Sequence, residues 1–289
     1  MDLALLNDFY HFLDPVAFWI GPFAVRWYGL GYILGILLGG LLLVRIGKHW
    51  QIRFSFDALL TTFIGATIGI IVGARLGYVL FYGDGYYFAN PAEILPFSEG
   101  GLRGMSFHGG VIGMAIAMFI VARINKMSFA TLADLVAIVA PIGIFLVRFA
   151  NFINGELWGA PTDLPWGVEF ESGGGIARHP SQLYEALLEG MVIFIVMMIL
   201  ARKKPPLPRG SYLGIFLVLY GVFRIAVEFV REPDAHLGYL AGEWLTMGMV
   251  LCIPMLAIGT VLLIYAAKTK LPQKGLPELE TADEKEEAN

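Results

Sequence analysis

Long apolar stretches separated by short polar breaks run through most of the chain. A helix needs about 20 mostly apolar residues, within a range of roughly 17–25, to cross a bilayer. On that scale the pattern predicts spans near 25–44, 59–82, 109–122, 130–149, 183–200, 212–229 and 244–267. The third is short enough to be partly re-entrant. Backbone inside lipid must satisfy its own hydrogen bonds. The expected fold is therefore an all-α polytopic membrane protein with about seven transmembrane helices. The first 19 residues lack the basic segment and small-residue cleavage site of a signal peptide. They carry Phe9, Phe12, Phe18 and Trp19 and are expected to lie on a membrane face as a short amphipathic segment. The stretch 271–289 is Pro-bearing, then acidic. It reads as a disordered tail, which leaves 1–270 as the membrane domain.

The breaks between spans differ in their basic residues. Alternate loops hold Arg45, Lys48 and Arg53; Arg123 and Lys126; Arg202, Lys203, Lys204 and Arg209; and Lys268, Lys270 and Lys274. Loops rich in Lys and Arg stay in the cytoplasm, so the N-terminus is expected outside and the C-terminus inside. The opposite side contains no lysine and seven arginines: Arg26, Arg75, Arg103, Arg148, Arg178, Arg224 and Arg231. Topology alone does not demand arginine over lysine. A guanidinium is a planar fork that binds phosphate through two parallel N–H groups, and ionisable residues inside spans are functional candidates by default.

Composition agrees with the span pattern and narrows the function. Hydrophobic residues make up 57% of the chain and charged residues 15%, against roughly 25% charged in soluble domains; a water-soluble domain is excluded. A net charge of -4 gives no support to a nucleic-acid partner. The single cysteine, Cys252, allows no internal disulfide and no multi-Cys metal site, and its apolar setting reads as a small buried hydrophobe. No metalloprotease helix, calcium loop or Walker loop is present.

Glycines recur every fourth residue at Gly31, Gly35 and Gly39, and again at Gly65, Gly69, Gly73 and Gly77. Such stripes let a neighbouring helix approach closely; room for a lipid chain is the alternative. Arg75 falls within the second stripe and needs an anionic or polar partner.

Four polar clusters fall on the lysine-free side. In the first, His108 enters a span beside Gly109 and Gly110, where it is able to exchange a proton near neutral pH. In the second, Arg148 and Asn151 are one helical turn apart. Asn154-Gly155 then ends the helix, and Glu156, Trp158 and Gly159 follow. In the third, R178-H-P-S-Q-L-Y-E185, Pro180 is expected in a first helical turn with Ser181 and Gln182 capping it, and His179 is a second acid–base candidate. In the fourth, Tyr220, Arg224, Glu228 and Arg231 form one stripe along an otherwise apolar helix, where Arg224 and Glu228 are able to pair.

The segments WYGLGY at 27–32, GARLGYVLFY at 73–82, GMSFHGG at 104–110, RFANFINGELWG at 148–159, RHPSQLYE at 178–185 and YGVFRIAVEFVREPD at 220–234 carry a resemblance. Together they resemble the phosphatidylglycerol–prolipoprotein diacylglyceryl transferases, bacterial inner-membrane enzymes that begin lipoprotein maturation. Val147 and Arg103 stand where glycine is expected from that family. The resemblance implies an essential histidine at His108, with Gly109 beside it, and a signature Arg148 and Asn151 followed by Asn154, Glu156 and Gly159. It also implies an essential Tyr28 and the polar stripe Tyr220, Arg224, Glu228 and Arg231.

The implied reaction joins two partners at the membrane bilayer: phosphatidylglycerol, and a prolipoprotein signal peptide with a lipobox cysteine. The client thiol attacks the glycerol carbon that bears the phosphate ester. A thioether forms and glycerol 1-phosphate leaves. No cofactor is implied. His108 is expected to take the thiol proton, Arg148 and Arg224 to stabilise the leaving phosphate, and Glu228 to orient Arg224. An alternative division has an arginine generate the thiolate while His108 positions the lipid. A different function class, a multi-pass lipid or anion transporter, uses the same arginines for phosphate. Transporters often show two similar halves, and no such repeat is visible here.

Overall fold

A computed structural model of the protein describes residues 5–52, 55–83, 85–94, 104–233 and 238–274. The acidic stretch from 275 onward lies outside the described residues. The chain opens with a short helix α1 (Leu5–His11) and an antiparallel hairpin, β1 (Val16–Ile20) with β2 (Phe23–Arg26). Helix α2 (Trp27–His49) follows directly, then α3 (Phe56–Tyr82), the single turn α4 (Tyr86–Ala89), α5 (Phe107–Ile124) and α6 (Phe129–Ile153). A two-stranded pair, β3 (Val168–Glu169) and β4 (Ala177–Arg178), precedes α7 (Ser181–Glu185). A π-helical segment (Ala186–Val192) joins α7 to α8 (Ile193–Ala201), and α9 (Ser211–Glu228) and α10 (Met247–Thr269) complete the fold.

Six helices, counting Ser181–Ala201 as one, are long and apolar enough to cross a membrane, and a shorter apolar helix covers Gly109–Ile124. Each apolar run read from the sequence folds as one of these helices, so the chain is a multi-pass membrane protein. The third run is one continuous helix of 18 residues, about 27 Å at 1.5 Å per residue.

The N-terminal segment departs from expectation. Residues 25 and 26 belong to β2 rather than to the first span. Gly21 at φ +58 permits the tight turn between two runs of β-favouring residues. Tyr10 of α1 is buried against Phe152 and Phe170, so this segment has a protein-packed side. Phe18, Trp19, Ile20 and Phe23 of the hairpin remain exposed.

The chain divides into two compact units, Met1–Trp50 with Asp134–Pro272, and Gln51–Ala133 with Gln273–Asn289. In the first, α9 lies along α10. Buried Asp134 on α6 accepts from the N–H groups of Gly210 (2.7 Å) and Leu213 (2.8 Å), which fixes the start of α9. At Gly190, in the π-helical segment, an added Cβ would stand 2.8 Å from the Cα of Phe145. That close approach brings the Arg148 turn of α6 to the segment carrying Glu185 and Glu189.

The second unit is built on α3 and α5. Backbones meet where the glycine stripe of α3 faces Gly109 and Gly113: a Cβ on Gly77 would lie 2.7 Å from the Cα of Gly109. The stripe thus serves packing. An apolar groove of about 700 Å³ also runs along the two helices, lined by residues such as Ile68, Val72, Leu76, Ile112 and Ile116. Arg75 is buried and donates to the carbonyl oxygens of Ile94 (2.6 Å), Glu93 (2.7 Å) and Gly104 (3.2 Å). Its guanidinium also lies over the rings of Tyr78 and Tyr87. These partners are polar backbone groups, and they tie residues 93, 94 and 104 to α3.

Candidate functional site

The first unit gathers three arginines and three glutamates inside its apolar helices. Arg148 comes from the last turns of α6, Glu185 from the end of α7, and Glu189 from the π-helical segment. Arg224 and Glu228 come from α9, and Arg231 from the turn after it. Glu185 is fully buried and is the shared centre. One carboxylate oxygen pairs with Nε of Arg148 at 3.0 Å; the other takes Nη1 of Arg224 and, at 2.9 Å, Nη1 of Arg231. Arg224 also pairs with Glu228, one turn along its own helix, and Glu228 accepts the hydroxyl of Thr246. Arg231 Nε lies 3.8 Å from Glu228. Glu189 stands 4.0 Å from Nη2 of Arg148.

Three guanidinium groups thus face three carboxylates, and their formal charges cancel. Burying charge is costly unless it is paired, which explains how six such residues are tolerated among apolar helices and the turn after α9. Arg148 is the most exposed of the three cations, with 19% of its side chain accessible. Only its Nε makes a close contact with a carboxylate; its Nη2 reaches one at 4.0 Å. It is therefore the arginine best placed to offer a fork to an incoming anion.

The π-helical segment begins one residue after Glu185 and contains Glu189. Widened turns of this kind appear frequently at functional sites. Tyr220, on α9, is a neighbour of Glu189, Arg148 and Arg224.

A second set borders the first. Asn151 donates to Glu156 Oε1 at 2.7 Å, and Asn154 reaches the same oxygen at 3.4 Å. Gly155 ends α6 at φ +65, as the Asn-Gly pair predicts. Arg148 and Asn151 share a helix face but serve different carboxylates. Pro180 is the N-cap of α7 rather than a residue of its first turn, and no side chain caps that helix. Ser181 donates instead to the carbonyl of Leu157 (2.9 Å) and Gln182 to that of Glu156 (2.7 Å). These bonds tie the 156–157 turn to α7, so the expected cap is a cross-link because both side chains point away from their own backbone.

Gly159 is wedged between His179 and Val230. Its N–H donates to the carbonyl of His179 at 2.8 Å, and it bridges to Arg231. A Cβ there would lie 2.7 Å from the His179 carbonyl. Arg178 stacks over the Trp158 ring at 4.0 Å, donates to the carbonyls of Gly173 and Gly159, and pairs with Glu232 at 3.1 Å. The ring of His179 meets the hydroxyl of Tyr184 at 3.2 Å, and burial lowers its pKa from the ordinary value. Tyr28, in the first turn of α2, meets the hydroxyl of Tyr32 at 3.3 Å.

The structure therefore brings Arg148, Arg224, Glu228 and Arg231 into one cluster, sets Tyr220 beside it, and links Asn151 and Asn154 through Glu156. Gly109 lies in the second unit, in the α3–α5 contact. His108 stands in the first turn of α5; its side chain lies outside the described residues. Of the lysine-free arginines, Arg75 and Arg178 are held largely by backbone carbonyls. Two residues escaped sequence reasoning, Glu185 and Glu189. A signal was present: two carboxylates four residues apart in a predicted span are candidates by default. Among the described residues, no group of three or more His, Cys, Asp or Glu is placed to hold a metal ion.

A family model described as Prolipoprotein diacylglyceryl transferase matches residues 15–265. A phosphatidylglycerol–prolipoprotein diacylglyceryl transferase of Nitratidesulfovibrio vulgaris is 47% identical over 255 residues, covering 87% of this chain and 94% of that protein. The enzyme of the same name from Brucella canis is 50% identical over 257 residues, covering 86% and 89%.

Proposed function

The chain belongs to the prolipoprotein diacylglyceryl transferase family, and from that membership we propose that it transfers the diacylglyceryl group of phosphatidylglycerol to the lipobox cysteine of prolipoproteins. The sulfur of the client attacks the glycerol carbon carrying the phosphate ester. The C–O bond to phosphate breaks, a thioether forms, and glycerol 1-phosphate leaves with the bond electrons. The observation that carries this reading is the trio Arg148, Arg224 and Arg231 held together on Glu185 within apolar helices. Such a cluster suits the phosphate of a lipid whose chains stay in the bilayer.

Two demands follow from the reaction. A thiol with a pKa of about 8.5 must lose its proton, and His108 is the general base. Phosphate gains charge as the C–O bond breaks, and Arg148 and Arg224 stabilise it from fixed positions in a low-dielectric setting. Glu228 and Glu185 hold the guanidinium forks. Tyr28, Asn151 and Tyr220 serve the headgroup, and Asn154, Glu156, Gly159, Gly109 and Arg231 complete the substrate-binding set. The attacking sulfur comes from the client, consistent with a buried Cys252. The lysine-free side faces the periplasm of a bacterial inner membrane, as loop charge implies.

The test is reconstitution of the full chain with phosphatidylglycerol and a lipobox peptide. The expected result is a peptide mass increased by one diacylglyceryl group. Folded protein that leaves the peptide unmodified would overturn the reading and favour a transporter.

A further inference from the structure

Glu189 has no part in the chemistry set out above, and its surroundings are unusual for a carboxylate. Its side chain is fully buried. Neither oxygen is within close reach of a guanidinium, and its one ion pair among the described residues spans 4.0 Å. The groups facing it are Glu185 on its own helix, Arg148 on α6, and Arg224 and Tyr220 on α9, with Cys252 of α10 also in electrostatic range. The Tyr220 hydroxyl stands close enough to Glu189 to interact with its carboxylate. Burying a weakly paired carboxylate costs free energy, and an apolar side chain in its place avoids that cost.

Charge balance gives Glu189 a role. The cluster is formally neutral before any ligand arrives. A phosphodiester headgroup adds one negative charge, and an uncompensated charge in a low-dielectric interior is strongly unfavourable. A proton restores neutrality, and the three carboxylates are unequal as acceptors. Glu185 holds three guanidinium groups; Glu228 holds two and the Thr246 hydroxyl. Protonating either would break contacts that fix the arginines. Protonating Glu189 gives up only a 4.0 Å ion pair and leaves a carbonyl oxygen to face the Tyr220 hydroxyl. We propose that docking of an anionic phosphate headgroup at the arginines is coupled to uptake of one proton by Glu189. The proton comes from bulk water, the carboxylate becomes the neutral acid, and the proton returns to water when the phosphate leaves. This rests on the reading of the cluster as the headgroup site.

The test uses the full chain in nanodiscs of neutral lipid, titrated with phosphatidylglycerol from about pH 5 to about pH 8, where carboxylates and histidines change charge. Calorimetry in buffers of different ionisation enthalpy counts the protons. At the alkaline end wild type is expected to take up about one proton per lipid, with affinity falling by up to about tenfold per pH unit as pH rises; at the acid end, where the carboxylate already carries its proton, uptake and slope should vanish. Glu189→Gln leaves the cluster one charge positive, so it is expected to bind with no uptake and a flat pH profile. Diacylglycerol, which lacks the phosphate, should cause no uptake in either protein. Should the Gln protein not fold, infrared difference spectra of wild type decide: the carbonyl stretch of a buried carboxylic acid, told from the lipid ester carbonyls by its shift in heavy water, must appear when phosphatidylglycerol is added. Wild-type binding at the alkaline end without proton uptake or without that band overturns the coupling alone, as does undiminished uptake by Glu189→Gln. Failure of wild type to bind phosphatidylglycerol overturns both the coupling and the reading beneath it.

Discussion

Glu185→Gln removes the charge on which three arginines converge while keeping side-chain volume. In the native protein one oxygen of Glu185 faces Arg148 at 3.0 Å and the other faces Arg224 and Arg231. A glutamine offers one acceptor oxygen and turns an N–H₂ group toward whichever cation faces the other side. Arg224 keeps its pair with Glu228, whereas Arg148 keeps only Glu189 at 4.0 Å. The substitution therefore frees Arg148 above all. Removing one partner of a buried ion pair costs about 3–5 kcal/mol; with the carboxylates of Glu228 and Glu189 still present, the lower end applies. Displacing a reaction-stabilising group by about 1 Å costs about 10²-fold in rate. Loss of one donor to a developing oxyanion costs about 10²–10³-fold. Turnover is thus expected to fall about 10²-fold in protein that still folds. Glu185→Asp retains the charge but withdraws the carboxylate by one methylene, so it should also lose activity. The assay is thioether formation on a lipobox peptide, normalised to folded enzyme. Near-wild-type turnover by folded Glu185→Gln, or full activity of Glu185→Asp, would refute the claim that this carboxylate positions the arginines.

Three further outcomes follow from the same geometry. Arg148→Lys should cripple turnover although charge is kept, because a lysine has no fork to span Glu185 and a phosphate; a kcat close to wild type would contradict it. Gly113→Ala should destabilise the second unit, because the added methyl meets the Cα of Gly73 at 2.7 Å, an overpacking cost of about 1–3 kcal/mol; an unchanged thermal midpoint would count against the described α3–α5 contact. His179 has a pKa lowered by burial, so the unfolded chain takes up its proton more readily than the folded one. Its contribution to stability is present above the unfolded pKa of about 6.5 and is lost as pH falls through that region. His179→Gln should flatten the loss of thermal stability on acidification relative to wild type, and parallel curves for the two proteins would argue against it.

The spans were legible because lipid imposes a one-dimensional rule: an apolar run of about 20 residues has to be a helix. The polar stripe on α9 was legible for a similar reason, since Tyr220, Arg224 and Glu228 recur at helical spacing; Arg231, expected on the same helix, joins them from the turn after it because α9 ends at Glu228. The end of α6 at Asn154-Gly155 followed from local turn chemistry. The N-terminal hairpin was missed because short apolar strands and an amphipathic helix look alike in a segment of this length. Glu185 was passed over because its motif reads locally as a helix start.

What the sequence by itself determined is the solvent, the helices and the sorting of arginine from lysine, all of which depend on composition or on residues within a few turns of one another. Apart from the Arg224–Glu228 pair along α9, only tertiary structure decided which carboxylate each arginine meets. Arg148 and Arg224 reach Glu185 across gaps of 37 and 39 residues, a distance over which periodicity carries no information. It also separated the arginines that hold backbone carbonyls, Arg75 and Arg178, from those that share Glu185. The physical reason is that a charge inside an apolar bundle takes whatever partner packing brings within reach, and packing is set by close approaches such as Gly190 on Phe145 rather than by neighbours in the chain.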